Sequence, residues 1–235
     1  MSNSSDFVKI WRMIIRTLAP ILGFTLAVCA GRAAAAAFPA ADTPEGYIGR
    51  LLINEAPFPG ERGFVSEADS KASMAQILWV LECRIHFIPA GYRQREIALV
   101  DTSNVLDVIT AGGARGQVDG FFRDAQGRLA TAPRVEDRLQ NLIRIASRGE
   151  PGRFARLLNY GAALATEYVR ERLSEPDRFA GLAQLGATPV TGRAYSWMTD
   201  RDYYKPGGSY LRIPDQYDGV LGGNRFFTLK RRASQ

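Results

Sequence analysis

The stretch SEADSKASMAQILWVLECRI, positions 66–85, decides the fold. Ser66 followed three residues later by Asp69 is a capping-type helix start, in which a short side-chain oxygen accepts one of the orphan N–H groups of the first turn. Met74, Ile77, Leu78, Leu81 and Ile85 then recur at intervals of three and four, which places them on one face at 3.6 residues per turn. Trp79 and Val80 widen that face, so this is predicted to be the most buried helix of the domain. Pro89-Ala90-Gly91 stops it, because neither proline nor glycine favours helix continuation.

Upstream, Thr43 reads as an N-cap ahead of Pro44 and Glu45. The segment Glu45–Glu55 carries Ile48, Leu51, Leu52 and Glu55 on one side of a second helix. Ala56-Pro57-Phe58-Pro59-Gly60 must end it, which leaves Glu55 in the last turn, where the chain breaks into a rigid loop. Downstream, a short helix is expected around Asn104–Thr110, stopped by Ala111-Gly112-Gly113. The loop Gly116-Gln117-Val118-Asp119-Gly120 enters the pair Phe121-Phe122, and Asp124–Gly127 reads as a surface turn. Helices are expected over Val135–Ser147 and Gly152–Leu173, separated by Gly149-Glu150-Pro151, with a further short helix over Asp177–Leu185. The last fifty residues are richer in Gly, Pro, Tyr and Trp. They offer two strand-like pieces, Ala194–Met198 and Arg225–Leu229, expected to pair beside the Glu55 helix. The expectation is α+β, mainly α: one domain over residues 38–235 with a short C-terminal β element.

Residues 1–37 read differently. Lys9, Arg12 and Arg16 precede an apolar stretch from Thr17 to Ala30, and the small-residue run Ala33–Ala37 follows. That charge–apolar–small order predicts a signal peptide cleaved near Ala36 or Ala37, and hence a periplasmic or secreted protein. An uncleaved anchor is the competing reading; the apolar stretch is short against the ~20 residues a span needs, and Pro20 interrupts it. Residues 1–37 hold four basic side chains and one acid, so the net charge of +6 falls by three, to +3, for the remainder. That is too modest for a nucleic-acid footprint.

Side-chain chemistry is restricted. Of two cysteines, Cys29 leaves with the leader, and Cys83 alone cannot form an internal disulfide. The one histidine, His86, is set among Ile85, Phe87 and Ile88 and is expected to be partly packed at a helix end. It excludes a multi-histidine zinc site and argues against a Ser-His-Asp triad. Carboxylates remain. Glu55, at a helix C-terminus and walled by Ile53, Phe58 and prolines, sits where the helix dipole and desolvation both favour the protonated acid. A protonated glutamic acid near neutral pH is what glycosidic cleavage needs, since the leaving oxygen must receive a proton. A solvent-facing glutamate that merely ends a helix has the same local sequence. Glu61 and Glu67 are rival acids, and Asp119 is a further carboxylate in what is also an ordinary Asp-Gly turn.

Read together, Asn54-Glu55-Ala56, the long helix Met74–Arg84, Gly116-Gln117 with Phe121, Ala194-Tyr195-Ser196-Trp197 and Gly223-Asn224-Arg225-Phe226-Phe227 follow a familiar order. In that order the chain resembles cell-wall hydrolases of the spore-cortex-lytic type, which share a lysozyme-like fold with lytic transglycosylases. The resemblance spans Tyr47–Leu229. It departs in a longer loop after Glu55, in Arg225 where the family has histidine, and in an apparent insertion at Arg201–Gly219. It implies a peptidoglycan glycan strand as substrate, Glu55 as general acid/base, and no metal or cofactor. Gln117, Tyr195 and Asn224 would hold N-acetyl and hydroxyl groups, and Phe121 and Trp197 would offer faces for sugar rings. A non-catalytic envelope protein that binds glycan in the same cleft, or docks on an envelope assembly, is the rival function.

Overall fold

In the computed structural model, residues 38–148, 152–171, 173–199 and 207–232 are described; the expected leader and the break at 149–151 lie outside them. The order begins with two helices, α1 (Pro44–Glu55) and α2 (Glu67–His86), each started by its expected cap. Thr43 Oγ1 accepts from Gly46 N at 3.0 Å, and Ser66 Oγ accepts from Asp69 N at 3.0 Å. Ala56 takes an extended conformation at the end of α1, with Pro57 following. Two short helices come next, α3 (Gln94–Ala98), which the sequence reading did not anticipate, and α4 (Val105–Thr110). The hairpin β1 (Phe121–Arg123)/β2 (Leu129–Thr131) turns through Asp124–Gly127, then α5 (Pro133–Arg148) and α6 (Arg153–Arg170) complete the helical body.

The helical body packs α1 against α6, α5 and α2. Tyr47, Ile48, Leu51 and Leu52 of α1 and Met74, Ile77, Leu78 and Leu81 of α2 are fully buried in one core. Gly161 of α6 permits the close approach to α1: a β-carbon there would lie 2.8 Å from Ile53 Cδ1. Burial of each such aliphatic side chain contributes about 1.5–3 kcal/mol, so this core accounts for the order of the N-terminal half.

The C-terminal third is β, and here two expectations are corrected. Asp177–Leu185 is not a helix. It is a turn followed by β3 (Leu182–Leu185), paired antiparallel with β4 (Thr188–Gly192). Asp177 Oδ1 accepts from Phe179 N at 3.0 Å, an Asx-type turn that competes with helix, and Gly186 closes the hairpin at φ +56°. The apparent insertion also contributes structure. β5 (Ser196–Thr199) lies on one edge of β8 (Asn224–Leu229), and β6 (Tyr210–Arg212) and β7 (Val220–Leu221) follow one another along the other. The expected pairing of the two aromatic segments is present and antiparallel, with Trp197 opposite Phe226 and Thr199 opposite Asn224. The fold is thus mixed α+β with small sheets. No helix among the described residues is long and apolar enough to cross a membrane.

Candidate active site

The centre of the site is the C-terminal turn of α1. Capping and the Pro57 break fix where that helix ends, and the break leaves the half-buried Glu55 side chain in a cavity of about 390 Å³. Its Oε1 accepts from Asn54 Nδ2 at 2.9 Å and its Oε2 from Trp197 Nε1 at 3.0 Å. The backbone carbonyl of the same residue accepts from Asn224 Nδ2 at 3.0 Å. Sheet residues therefore hold Glu55 by side chain and backbone together.

Arg84 forms the second feature. It projects from the last turns of α2, is 4 % exposed, and lines the cavity. Its Nε donates to the Tyr195 carbonyl at 2.8 Å and its Nη1 to Gln117 Oε1 at 2.5 Å, while the guanidinium lies 5.6 Å from the Trp197 ring centroid. Burial pulls its pKa down from the usual guanidinium range by disfavouring the charged form. The Trp197 indole thus has a cation near its ring and a carboxylate on its N–H. The rest of the wall comes from β5, Tyr210 of β6, Phe227 of β8 and the Gly116–Asp119 loop.

Of the residues expected at the site, Glu55, Gln117, Asp119 and Trp197 line this cavity. Gln117 is spent on the protein, accepting from Arg84 and donating from Nε2 to the Ile97 carbonyl at 3.2 Å, so it positions Arg84. Asp119 is largely exposed and ion-paired to Arg134. The other three expected binding residues are packed elsewhere. Phe121 is fully buried edge-on to Tyr47, with ring centroids 5.3 Å apart. The Tyr195 ring sits in a small core with Cys83, Tyr92, Ile97 and Leu229, and its hydroxyl donates to the Phe87 carbonyl at 2.7 Å. Asn224 is fully buried and clamps Glu55 to Ser73 Oγ, 2.9 Å away. These positions are inward on their elements, so the Tyr195 hydroxyl and Asn224 Nδ2 bond to the protein, and Asn224 Oδ1 is buried without a partner among the described residues.

The rival acids also fall away from the cavity wall. Glu61 accepts from Phe58 N at 2.7 Å and from Arg138 Nη2 at 2.8 Å, binding the loop to α5. Glu67 pairs with Lys71 at 2.8 Å and Arg156 at 2.9 Å, and these partners, Arg156 first, pull its pKa below the ordinary glutamate value. His86 ends α2 as expected but is exposed where partial packing was expected; its Nε2 lies 3.8 Å from Glu82. The sequence reading missed the roles of Arg84 and Tyr210. The signal for Arg84 was present, as a basic residue between Leu81 and Ile85 near the apolar face of the most buried helix. Among the described residues no group of three His, Cys, Asp or Glu side chains is arranged to hold a metal ion. No protein-family model, curated protein or solved structure matches the chain.

Proposed function

We propose that this protein is an exported glycosidase of lysozyme-like architecture that cleaves peptidoglycan glycan strands, with Glu55 as its general acid/base. The observation that carries the reading is the Glu55 carboxylate on the wall of a ring-sized cavity, oriented by the Trp197 indole N–H. A glutamic acid so held protonates the leaving glycosidic oxygen, while the N-acetyl group of the sugar itself stabilises the cationic carbon. Glu55 then takes a proton back, either from the C6 hydroxyl to give a 1,6-anhydro sugar or from water to give hydrolysis. One carboxylate suffices in that scheme. This matches the outward, Arg134-paired position of Asp119. No metal or cofactor has a step to perform.

The test is muropeptide release from purified sacculi by the wild type and by Glu55→Gln. The wild type is expected to cleave and the variant to lose activity while keeping its fold. A wild type that releases nothing but retains glycan on pull-down would replace catalysis by the binding function. Export is checked separately by N-terminal sequencing of the periplasmic protein, expected to begin at Ala37 or Phe38. Intact Met1 in the membrane fraction would refute cleavage.

A further inference from the structure

Among the described residues, the buried and part-buried arginines of the interior have carboxylate partners, with one exception. Arg50, 6 % exposed, meets Glu136 at 2.8 Å; Arg138 meets Glu61; Arg193 meets Asp177 at 2.6 Å. Arg84 is more buried than any of these, and its acceptors are the neutral Tyr195 carbonyl and Gln117 amide. The ionisable groups that act on it are Cys83 and Tyr210. Both are uncharged at neutral pH, as thiols and phenols ordinarily are, and burial raises both further, the Cys83 thiol to about 12. The acids on the same cavity wall are engaged elsewhere: Glu55 faces Asn54 and Trp197, and Asp119 faces Arg134. Among the described residues Arg84 Nη2 has no acceptor, yet it is not among the buried polar atoms sealed away without one. It therefore opens on the cavity. A buried charge without a counter-ion is costly, and proteins retain one chiefly where something else supplies the opposite charge.

We infer that Arg84 is an anion subsite of this cavity and that it takes a carboxylate carried on the glycan substrate. The inference rests on the glycosidase reading for the identity of the carrier, and on the Arg84 environment alone for the charge. A monoanion is specified because the cavity offers one guanidinium, a single positive charge, without a carboxylate partner. The cavity, about 390 Å³, is large enough for a ring-bearing group; the Trp197 ring lies beside the cation, and Tyr210 adds a second aromatic side chain to the lining. In peptidoglycan two carboxylates meet this description. The lactyl ether of the muramic sugar bears a free carboxylate where its peptide has been removed, and the peptide stem bears others where it has not. In a stem-bearing strand the lactyl carbon is an amide and carries no charge.

The test measures calorimetric binding of three oligosaccharides to the full exported chain bearing Glu55→Gln, which prevents turnover. The probes are a peptide-free N-acetylglucosamine–N-acetylmuramic acid tetrasaccharide, its peptide-bearing counterpart, and neutral chitotetraose. The peptide-free probe is expected to bind at least about tenfold more tightly than chitotetraose, the scale of one charge-assisted contact, and to lose that margin in Arg84→Gln. Tight binding of the peptide-bearing probe as well assigns the carboxylate to the stem; weak binding assigns it to the lactyl group. Equal binding of all three overturns the anion subsite while leaving the glycan reading intact. Should no oligosaccharide bind, D-lactate is titrated against the Trp197 indole NMR resonance. A shift that Arg84→Gln abolishes keeps the subsite and removes the glycan reading, and no shift removes both. If Arg84→Gln does not fold, Arg84→Lys replaces it, and the wild-type ranking of the three probes still decides.

Discussion

The two walls of the cavity are built by opposite means. The helical wall supplies the charges: Glu55 from the end of α1 and Arg84 from the end of α2. Caps, a proline break and a 3.6-residue repeat place both, each lying on the same helix as the side chain concerned or next to it. The sheet wall supplies the restraints. Trp197 on β5 donates to the Glu55 carboxylate, and Asn224 on β8 donates to the Glu55 carbonyl, contacts that bridge 142 and 169 residues of chain. Glu55 is thus placed by local sequence and oriented by distant sequence. An error in either wall should have a different signature.

The largest effect belongs to the helical wall. Glu55→Gln is expected to reduce glycan cleavage by 10²–10⁴-fold, the usual range for a general acid/base, with stability changed by less than ~1 kcal/mol because the swap is isosteric. Next comes a break in the sheet wall. Asn224→Ala removes both hydrogen bonds of a fully buried amide, costing about 1–3 kcal/mol in denaturant titration. It should also lower turnover roughly tenfold by unfastening the Glu55 carbonyl, since small misplacements of a catalytic group are expensive. Full activity in a destabilised Asn224→Ala would show that the sheet supports the fold without orienting the acid. Glu61→Gln separates the two properties in the other direction. It weakens a part-buried pair with Arg138, for a loss of about 1–2 kcal/mol, and should leave cleavage within roughly twofold because the side chain is outside the cavity.

The same division explains how much was readable beforehand. Thr43, Ser66, Pro57 and the Met74–Ile85 stripe act through neighbours three or four residues away, so α1 and α2, and Glu55 at the end of α1, followed from the sequence. β5 and β8 were readable as aromatic strand pieces. β6 and β7 were not, because each is only two or three residues long and owes its conformation to the β8 edge. The segment leading into and including β3 reads as helix because Asp177–Leu185 has helical composition. Its outcome is set by Arg193 and Gln76, which seize the Asp177 carboxylate from 16 and 101 residues away. At the site, the residue types of Tyr195, Phe121 and Asn224 fitted sugar binding, but their orientation depends on which face of an element meets the core. A one-residue change of face converts a ligand contact into a core contact, and nothing in the local sequence fixes it.

The smallest expected effect completes the comparison, because it concerns a carboxylate that neither wall uses. Glu67 stands in the first turn of α2, where the helix dipole favours negative charge, and its partners are Lys71 one turn on and Arg156 on α6. Arg156 is more than half exposed, so water and salt screen the pair, and Glu67→Gln should cost less than about 1 kcal/mol. The direction with pH follows from the lowered pKa. A carboxylate whose folded value lies below its ordinary value of 4.5 contributes stability that is fully present above 4.5 and lost as pH falls through the folded value. Thermal unfolding of wild type and Glu67→Gln should therefore differ by a small, constant amount at neutral pH, and the two curves should converge in the window below 4.5. High salt should narrow the neutral-pH gap, and cleavage should not change under either condition. If Glu67→Gln were instead to abolish muropeptide release while Glu55→Gln retained it, the acid would lie at the start of α2 and not at the end of α1. The cavity assigned here would then be the wrong one.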